Sequence, residues 1–184
     1  EVDPNWNKPD EIKRQVALNR SNSAVHGSIY FSVKPLLRNA LGVQDSLMTV
    51  LYPNPARVPG MAWLSKTPPA TPQICRVGGS PSSVKLAWHA CDIATSDENP
   101  HYFAIYRFDG QSVGDFQNPR NLITYTPFYS ERWIFEDPAA SEGEFYTYVL
   151  VAYNRFNVES YSSDPVVVKK TKKGARKKKK CWLF

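Results

Sequence analysis

The stretch EFYTYVLVAYN, residues 144–154, is a long run of aromatic and β-branched residues. Such a run predicts a buried β-strand. Working outward, shorter runs with period-2 alternation recur at 73–78, 84–91, 101–108, 121–126, 132–135 and 164–170. Turn signals separate them, among them Gly78-Gly79, Asp109-Gly110 and Asp137-Pro138. Strands at this spacing predict an all-β sandwich over residues 73–168.

The rest of the chain divides into three parts by composition. Residues 67–72, TPPATP, predict a stiff, polyproline-like linker. Residues 1–66 mix helical and strand signals, and residues 169–184 form a basic tail that we expect to be disordered, with few contacts from residue 171 onward. The predicted fold class is therefore mixed, a partial α/β segment followed by an all-β sandwich.

The first 66 residues predict a helix, a strand and a second helix. Pro9, Asp10 and Glu11 are typical of a helix start and predict a helix over 9–20, capped at Asn7 or Lys8. GSIYFSV (27–33) predicts a buried strand, and the apolar spacing after it predicts a helix over 44–52. A lone apolar strand needs neighbours, so we expect this segment to be the end of a larger α/β domain.

Charge is concentrated at one end of the chain. The net charge is +6, from 23 basic and 17 acidic residues. KKTKKGARKKKK (169–180) holds nine of the basic residues and no acid, so the remainder is mildly acidic. A protein that binds nucleic acid over its folded surface should carry its charge there, so this class is disfavoured.

Composition limits the other classes. With 42% hydrophobic residues the chain can bury a core. No window approaches the ~20 apolar residues of a membrane span. The chain starts at Glu1 without a charged-then-apolar leader, so we expect a trimmed product or a piece of something longer.

Cysteine and histidine usage predicts no cofactor or metal. Cys75 and Cys91 are too far apart in the expected hairpin for a disulfide, and we interpret both as buried or half-buried thiols. There is no CxxC motif and no Cys/His cluster with zinc spacing. His26, His89 and His101 are scattered and are expected to be structural.

Residues 73–168 resemble a fibronectin type III module of the kind found in bacterial enzymes. SVKLAW resembles its second strand, with Trp88 at the core tryptophan position, and YFAIYRF resembles its third strand. EFYTYVLVAYNRFNVESYSS resembles its sixth strand and the following turn, although Phe156 and Asn157 stand where the family often has glycine. The resemblance implies that Tyr146 is a tyrosine-corner residue, its hydroxyl bonded to backbone upstream.

Residues 1–66 resemble the C-terminal end of the family-10-like glycosyl hydrolases, TIM-barrel proteins of the bacterial cell envelope. The stretches that carry the resemblance are WNKPDEIKRQVALNR and GSIYFSVKPLLRNALGVQDSLMTVLYPNPARVPGMAWL. They resemble the helix after strand seven and strand eight with its helix. About 66 residues is the length of two β/α units of such a barrel. The resemblance implies a barrel remnant over 1–66, carbohydrate as the partner, and an envelope or secreted location.

Glycosidases need a pair of carboxylates at the strand ends of the barrel. The strand end predicted here carries no acid, and we interpret Asp10, Glu11 and Asp45 as helix-start residues. We therefore expect no catalytic residue in this chain. The residues that could line a sugar cleft are Trp6, Asn7, Ser32 and Lys34.

Other aromatic residues have two interpretations. Trp63 could wedge between barrel and sandwich. A group of aromatic residues on the sandwich could bind carbohydrate, although packing within the sandwich is the favoured interpretation. It consists of Tyr125, Phe128, Tyr129 and Trp133.

The basic tail also has two interpretations. It ends in Cys181-Trp182-Leu183-Phe184, formally a C-a-a-X box behind a polybasic run, which is the pattern of a prenyl anchor. Prenylation is disfavoured because Trp is unusual in the box and the barrel resemblance points to bacteria. The second interpretation is weak contact with anionic surfaces, which salt screens.

Two function classes follow. The first is the C-terminal fragment of a glycoside hydrolase-like envelope protein acting on carbohydrate, itself non-catalytic, with the sandwich as a spacer or docking module. The alternative is a non-enzymatic binding or adhesion protein with a fibronectin-like module and a basic tail. GSIYFSV favours the first, because an adhesion module has no need of that strand.

Overall fold

The structure is a computed structural model that describes residues 7–90, 99–128 and 133–177. The chain forms two compact units, Glu1–Pro53 and Asn54–Phe184. We call their described parts the helical unit (7–53) and the sandwich unit (54–177).

The helical unit consists of short helices. Its elements are α1 (Glu11–Ser21), α2 (Val33–Leu37), a 3₁₀ turn (Ala40–Gly42), α3 (Val43–Asp45) and a π-helical segment (Ser46–Leu51). The predicted first helix corresponds to α1, and the predicted second helix corresponds to residues 43–51.

Helix α1 begins at Glu11, with Asp10 at the N-cap. The Asp10 side chain makes no cap hydrogen bond; its Oδ2 accepts from Arg14 Nε at 2.8 Å, one turn further on. This hydrogen bond holds the pKa of Asp10 below its usual value. The cap predicted at Asn7 or Lys8 is therefore wrong, and Asn7 lies outside the helix.

The strand predicted at 27–33 is not formed. Residues 27–32 are irregular, and Val33 begins α2. Ile29 is 99% exposed and Phe31 is fully exposed. Since the described residues of the helical unit include no other strand, this stretch has no edge with which to pair.

The sandwich unit is built from eight antiparallel strands in two sheets. The strands are β1 (Pro72–Gly78), β2 (Val84–Ala90), β3 (Tyr102–Asp109), β4 (Leu122–Pro127), β5 (Trp133–Asp137), β6 (Phe145–Tyr153), β7 (Val166–Thr171) and β8 (Gly174–Lys177). The order is β1-β2-β5 in one sheet and β4-β3-β6-β7-β8 in the other. The described chain is thus mostly β with few helices.

One core lies between the two sheets. Trp88 on β2 is 2% exposed and contacts the Phe103 ring edge-on at 5.7 Å between centroids. Phe103 in turn packs on Trp133, with centroids 4.9 Å apart. Ile105, Leu150 and Ala152 belong to the same cluster.

Hydrogen bonds anchor the chain around β5 and β6. The Ser141 N–H donates to the Tyr146 hydroxyl at 2.9 Å, which ties the Tyr146 ring to backbone five residues upstream. Asp137, which is buried, accepts from Tyr148 Oη at 2.7 Å and from Arg107 Nη1 at 2.9 Å. Burial and the Asp137 carboxylate raise the pKa of Tyr148 well above its usual range.

The larger sheet is buried on both faces at β3 and β6. On the face away from the core, Tyr102 stacks on Tyr153 with centroids 4.8 Å apart, and Tyr125 meets Tyr102 edge-on at 5.3 Å. Phe116, from the loop after β3, packs on Tyr106 and Phe108. This second apolar layer explains why residues 101–108, HYFAIYRF, carry aromatic side chains on both faces of their strand.

Residues 54–67, which we call the strap, pack against the sandwich. Tyr125 Oη donates to Ala56 O at 3.0 Å, Arg57 pairs with Glu159, and Met61 N donates to Phe156 O at 2.8 Å. The boundary therefore differs from the one predicted at residue 66: the units divide at Pro53, and residues 54–66 belong with the sandwich.

The first part of the predicted basic tail is folded. β7 continues to Thr171, and β8 pairs with it through a turn at Lys172 and Lys173. The turn needs Gly174, because its φ is +112° and a Cβ there would lie 2.6 Å from Gly79 O. Lys170 is buried and its Nζ donates to Ser80 O at 2.8 Å. The expectation that 171–177 make few contacts is therefore wrong, and residues 178–184 lie outside the described residues.

We expect the sandwich unit to lose stability at alkaline pH. Burial raises the pKa of Tyr102 to about 12 and also raises the pKa values of Tyr106 and Tyr125. The folded state favours the neutral phenol. The free energy of unfolding therefore has its full value below the ordinary tyrosine pKa of about 10, and it falls as pH rises toward 12.

Urea midpoints measured between pH 8 and 11, with phenolate absorbance followed in parallel, check this prediction. Tyr102→Phe should flatten the decline, whereas Tyr161→Phe, at an exposed position, should leave it unchanged. A midpoint that stays constant across this range would contradict it.

No helix among the described residues has the length and hydrophobicity to cross a membrane.

Candidate functional site

The helical unit contains a small cleft of about 170 Å³. It lies where the C-terminal end of α1 meets the end of the π-helical segment. Apart from Val16 and Val25, the side chains that could contact a ligand there are polar or aromatic. They are Asn19, Arg20, His26, Ser28 and Tyr52.

Arg20 organises the cleft. It stands in the last turn of α1, and its guanidinium donates to Leu51 O at 2.6 Å. The same group lies over the Tyr52 ring, 5.0 Å from the centroid. A guanidinium held between a carbonyl and an aromatic face is restricted in orientation.

A second part of the cleft is held by a side-chain pair. Asn19 Nδ2 donates to Ser28 Oγ at 3.0 Å, which brings the irregular segment 25–32 against α1. Tyr30, half-buried beside this pair, has its pKa raised by burial and by the nearby Tyr52 hydroxyl, so it remains a neutral phenol. The cleft therefore presents hydroxyl, amide, imidazole and guanidinium groups around an aromatic ring.

The residues expected to line a sugar cleft are not gathered there. Asn7 and Lys34 are exposed, Ser32 is half-buried, and none of the three lines the cleft. Lys34 lies in α2, and Ser32 is its N-cap rather than the end of a strand. Trp6 lies outside the described residues. Their role in holding a sugar stays a prediction.

The carboxylates of the helical unit have local partners. Asp10 accepts from Arg14, Glu11 Oε1 accepts from Gln15 Nε2 at 2.9 Å, and Asp45 Oδ2 accepts from Asn39 Nδ2 at 2.7 Å. No Asp or Glu is among the residues lining the cleft. The cleft can hold a hydroxylated ligand but offers no acid and base pair for cleaving a glycosidic bond.

The aromatic residues singled out on the sandwich pack inside it. Trp133 and Phe128 join the core, and Tyr125 joins the outer aromatic layer. Tyr129 lies outside the described residues. Trp63, by contrast, is 77% exposed on the strap.

Sequence reasoning missed the cleft because it placed residues 27–33 in a strand. A strand would carry Ser28 away from α1, whereas the irregular segment lets it reach Asn19. One signal was available: Arg20 near the end of a predicted helix is a residue type that caps carbonyls and stacks on aromatic rings.

The sequence is similar to that of a named bacterial protein. Over 163 residues it is 36% identical to the protein named Glycosyl hydrolase YngK of Bacillus subtilis (strain 168). The match covers 88% of this chain, and the chain spans 30% of the length of that relative. This similarity relates the chain to part of that protein. No family model matches the chain.

Solved structures give weaker overlaps. A structure titled "Myokine structure" aligns with 56% of this chain and 98% of its own, at 16% identity and a TM-score of 0.39. The pectate lyase PelI from Erwinia chrysanthemi aligns with 53% of this chain and 28% of its own, at 16% identity and a TM-score of 0.38. Both TM-scores are low, so the fold is described by its own strand order and not by these structures.

Proposed function

We propose that this chain is the C-terminal part of a glycoside hydrolase-like protein of the envelope or secreted space that acts on carbohydrate. The observation that carries the proposal is 36% identity over 163 residues to a protein named a glycosyl hydrolase. The helical unit contributes one wall of a catalytic domain, and the sandwich unit is an accessory spacer or docking module. The chain alone is non-catalytic.

The surface of the helical unit supports a larger domain. Among its described residues, Val16 is the one fully buried apolar side chain. Many large apolar side chains are exposed instead, a pattern typical of an interface. They are Leu18, Ile29, Phe31, Val33, Leu37, Met48 and Val50. In the proposed protein these side chains pack against the remaining β/α units of a TIM barrel.

The strand order of the sandwich supports a fibronectin type III module. Three strands, β1-β2-β5, face the sheet that contains β4-β3-β6-β7, with Trp88 in the core. The Tyr146 hydroxyl is bonded to backbone upstream, as a tyrosine corner requires. The eighth strand is an addition to the seven predicted.

Residues 27–33 give a direct test of the barrel proposal. Among the described residues, the amides of 27–32 have no backbone hydrogen-bond partner, so we expect them to exchange at nearly the rate of an unfolded peptide. In a longer polypeptide that contains the preceding β/α units, the same residues should form a strand, and their exchange should slow by roughly 100-fold or more.

Hydrogen exchange read by mass spectrometry on both polypeptides checks this prediction. The internal control is β3, residues 102–109, which should be protected equally in both. If residues 27–33 stay unprotected in a longer polypeptide whose preceding units are folded, they are not a barrel strand. The proposal would then lose its structural basis.

A further inference from the structure

The outer face of the β1-β2-β5 sheet carries a depression of about 580 Å³. This volume falls within the ~300–1,000 Å³ of ordinary small-molecule sites. We call it the sheet depression. The lining residues that matter for its chemistry are Cys75, Arg76, Lys85, Ala87, His89 and Ile134.

The register of the strands explains the concavity. Val84, Leu86 and Trp88 point into the core, so Lys85, Ala87 and His89 face outward. Ala87 is paired with Arg76 on one side and Ile134 on the other. The smallest side chain of this face thus stands at its centre, ringed by longer ones.

A β-bulge shapes one wall of the depression. The register shifts between Ile74 and Arg76, and Cys75 Sγ–H donates to Ala87 O at 3.3 Å. Bulges redirect side chains and are over-represented next to functional sites. Here the shift places Arg76 directly opposite Ala87.

The rim is positively charged. Arg76 and Lys85 are exposed, and within the described part of the chain Lys85 Nζ has one ion-pair partner, Glu136, at 3.8 Å. The other Glu136 oxygen already accepts from Ser83 Oγ. No ion pair involves Arg76 within the described part of the chain, so its guanidinium is available for an anion.

The floor is apolar. Ile134 is 59% exposed beside the Ala87 methyl group, and together they offer a flat patch of C–H groups. The C–H face of a pyranose ring fits such a patch, and a carboxylate on that ring can pair bidentately with an arginine at the edge.

We propose that the sheet depression binds acidic oligosaccharides, that is, sugars carrying carboxylates. The charge of the rim selects the carboxylate, and the apolar floor contacts the ring. The choice of a saccharide rests on the proposed carbohydrate function, whereas the site itself rests on the geometry of the sandwich unit. The sandwich unit would then bind carbohydrate separately from the catalytic domain.

The test compares two trisaccharides that share one backbone. The probe is a β-1,4-linked trimer of glucuronic acid, and its control is cellotriose, which carries a hydroxymethyl group where the probe carries each carboxylate. Calorimetric titration of the full chain should show binding of the acidic trimer and an affinity at least about tenfold lower for cellotriose.

Variants locate the site. Arg76→Gln should weaken binding of the acidic trimer about tenfold, and Ala87→Leu, which fills the depression, should abolish it. Lys172→Gln is the matched control because it removes an exposed cation from the β7–β8 turn, and it should leave the affinity unchanged. Thermal unfolding of each variant verifies that the sandwich is intact.

A second readout follows Cys75, which is a free thiol and exposed, so the expectation that it is buried or half-buried is wrong. Its alkylation by iodoacetamide, measured on the Cys75 peptide by mass spectrometry, should slow when the acidic trimer is bound. This measurement reports occupancy at the depression even for a variant of altered stability.

Several outcomes would overturn the proposal. They are equal binding of the two trisaccharides, an equal loss in Lys172→Gln, equally tight binding of a hexaglutamate peptide, or no binding at all. If the acidic trimer fails to bind while a longer polypeptide hydrolyses glycosides, this inference alone is wrong. If the trimer binds and no hydrolysis occurs, the proposed enzymatic function alone is wrong.

Discussion

Replacing Trp88 by alanine is expected to destabilise the sandwich unit by about 3–5 kcal/mol, the cost of a large-to-small change in a packed core. Trp88 is 2% exposed and stands where both sheets meet, opposite Trp133 in the register and edge-on to Phe103. The cavity left behind is lined by rigid aromatic rings, which cannot collapse to fill it. A loss of this size is a large share of a domain's net stability.

The experiment is urea unfolding of the full chain, followed by far-ultraviolet circular dichroism, which is dominated by the β-sheets. Trp88→Phe keeps part of the ring and should cost less, so it gives a folded variant if Trp88→Ala does not fold. Trp63→Ala is the matched control, because it makes the same chemical change at a side chain that is 77% exposed. The control should shift stability by less than about 0.5 kcal/mol. Equal effects at Trp88 and Trp63 would mean that the core is not where the structure places it.

The strands of the sandwich could be predicted because their signals are local. Alternating residues such as Val84, Leu86 and Trp88 lie next to one another in the sequence, and the turns between strands carry their own glycines and prolines. A period-2 pattern and a turn are sufficient to place a strand without knowledge of its partners.

The strap could not be predicted because its contacts are distant in sequence. Arg57 pairs with Glu159, 102 residues away, and Tyr125 reaches Ala56 across 69 residues. No local sequence pattern near residues 54–67 indicates either contact. The composition of TPPATP suggested a boundary there, whereas long-range packing sets the boundary at Pro53.

Two other errors also have a physical origin. A run of lysines suggested a solvated tail, but the Lys170 stem can be buried while its ammonium reaches Ser80 O. An apolar run suggested a strand at 27–33, but a strand exists only when a neighbour supplies hydrogen bonds. The cleft around Arg20 was missed because that strand was assumed.

The chain by itself is expected to show no turnover of glycosides, although a longer polypeptide should. Hydrolysis needs a general acid together with a nucleophile or a base, and both are carboxyl groups about 5–9.5 Å apart. In the helical unit, Asp10, Glu11 and Asp45 are each engaged by a neighbouring side chain, and the cleft contains none of them. Arg20 and Tyr52, which line the cleft, cannot protonate a leaving group and attack an anomeric carbon together.

The most direct measurement is therefore a turnover assay on two polypeptides with one set of aryl glycosides and cell-wall polysaccharides. The first is this chain, and the second extends it to the length of the relative of which it spans 30%. We predict background rates for the chain and turnover for the longer polypeptide, falling by about 10²–10⁴-fold when a strand-end carboxylate is changed to its amide. Turnover by the chain alone, persisting after contaminating hydrolases are removed, would contradict the account, as would a folded longer polypeptide that cleaves none of these substrates.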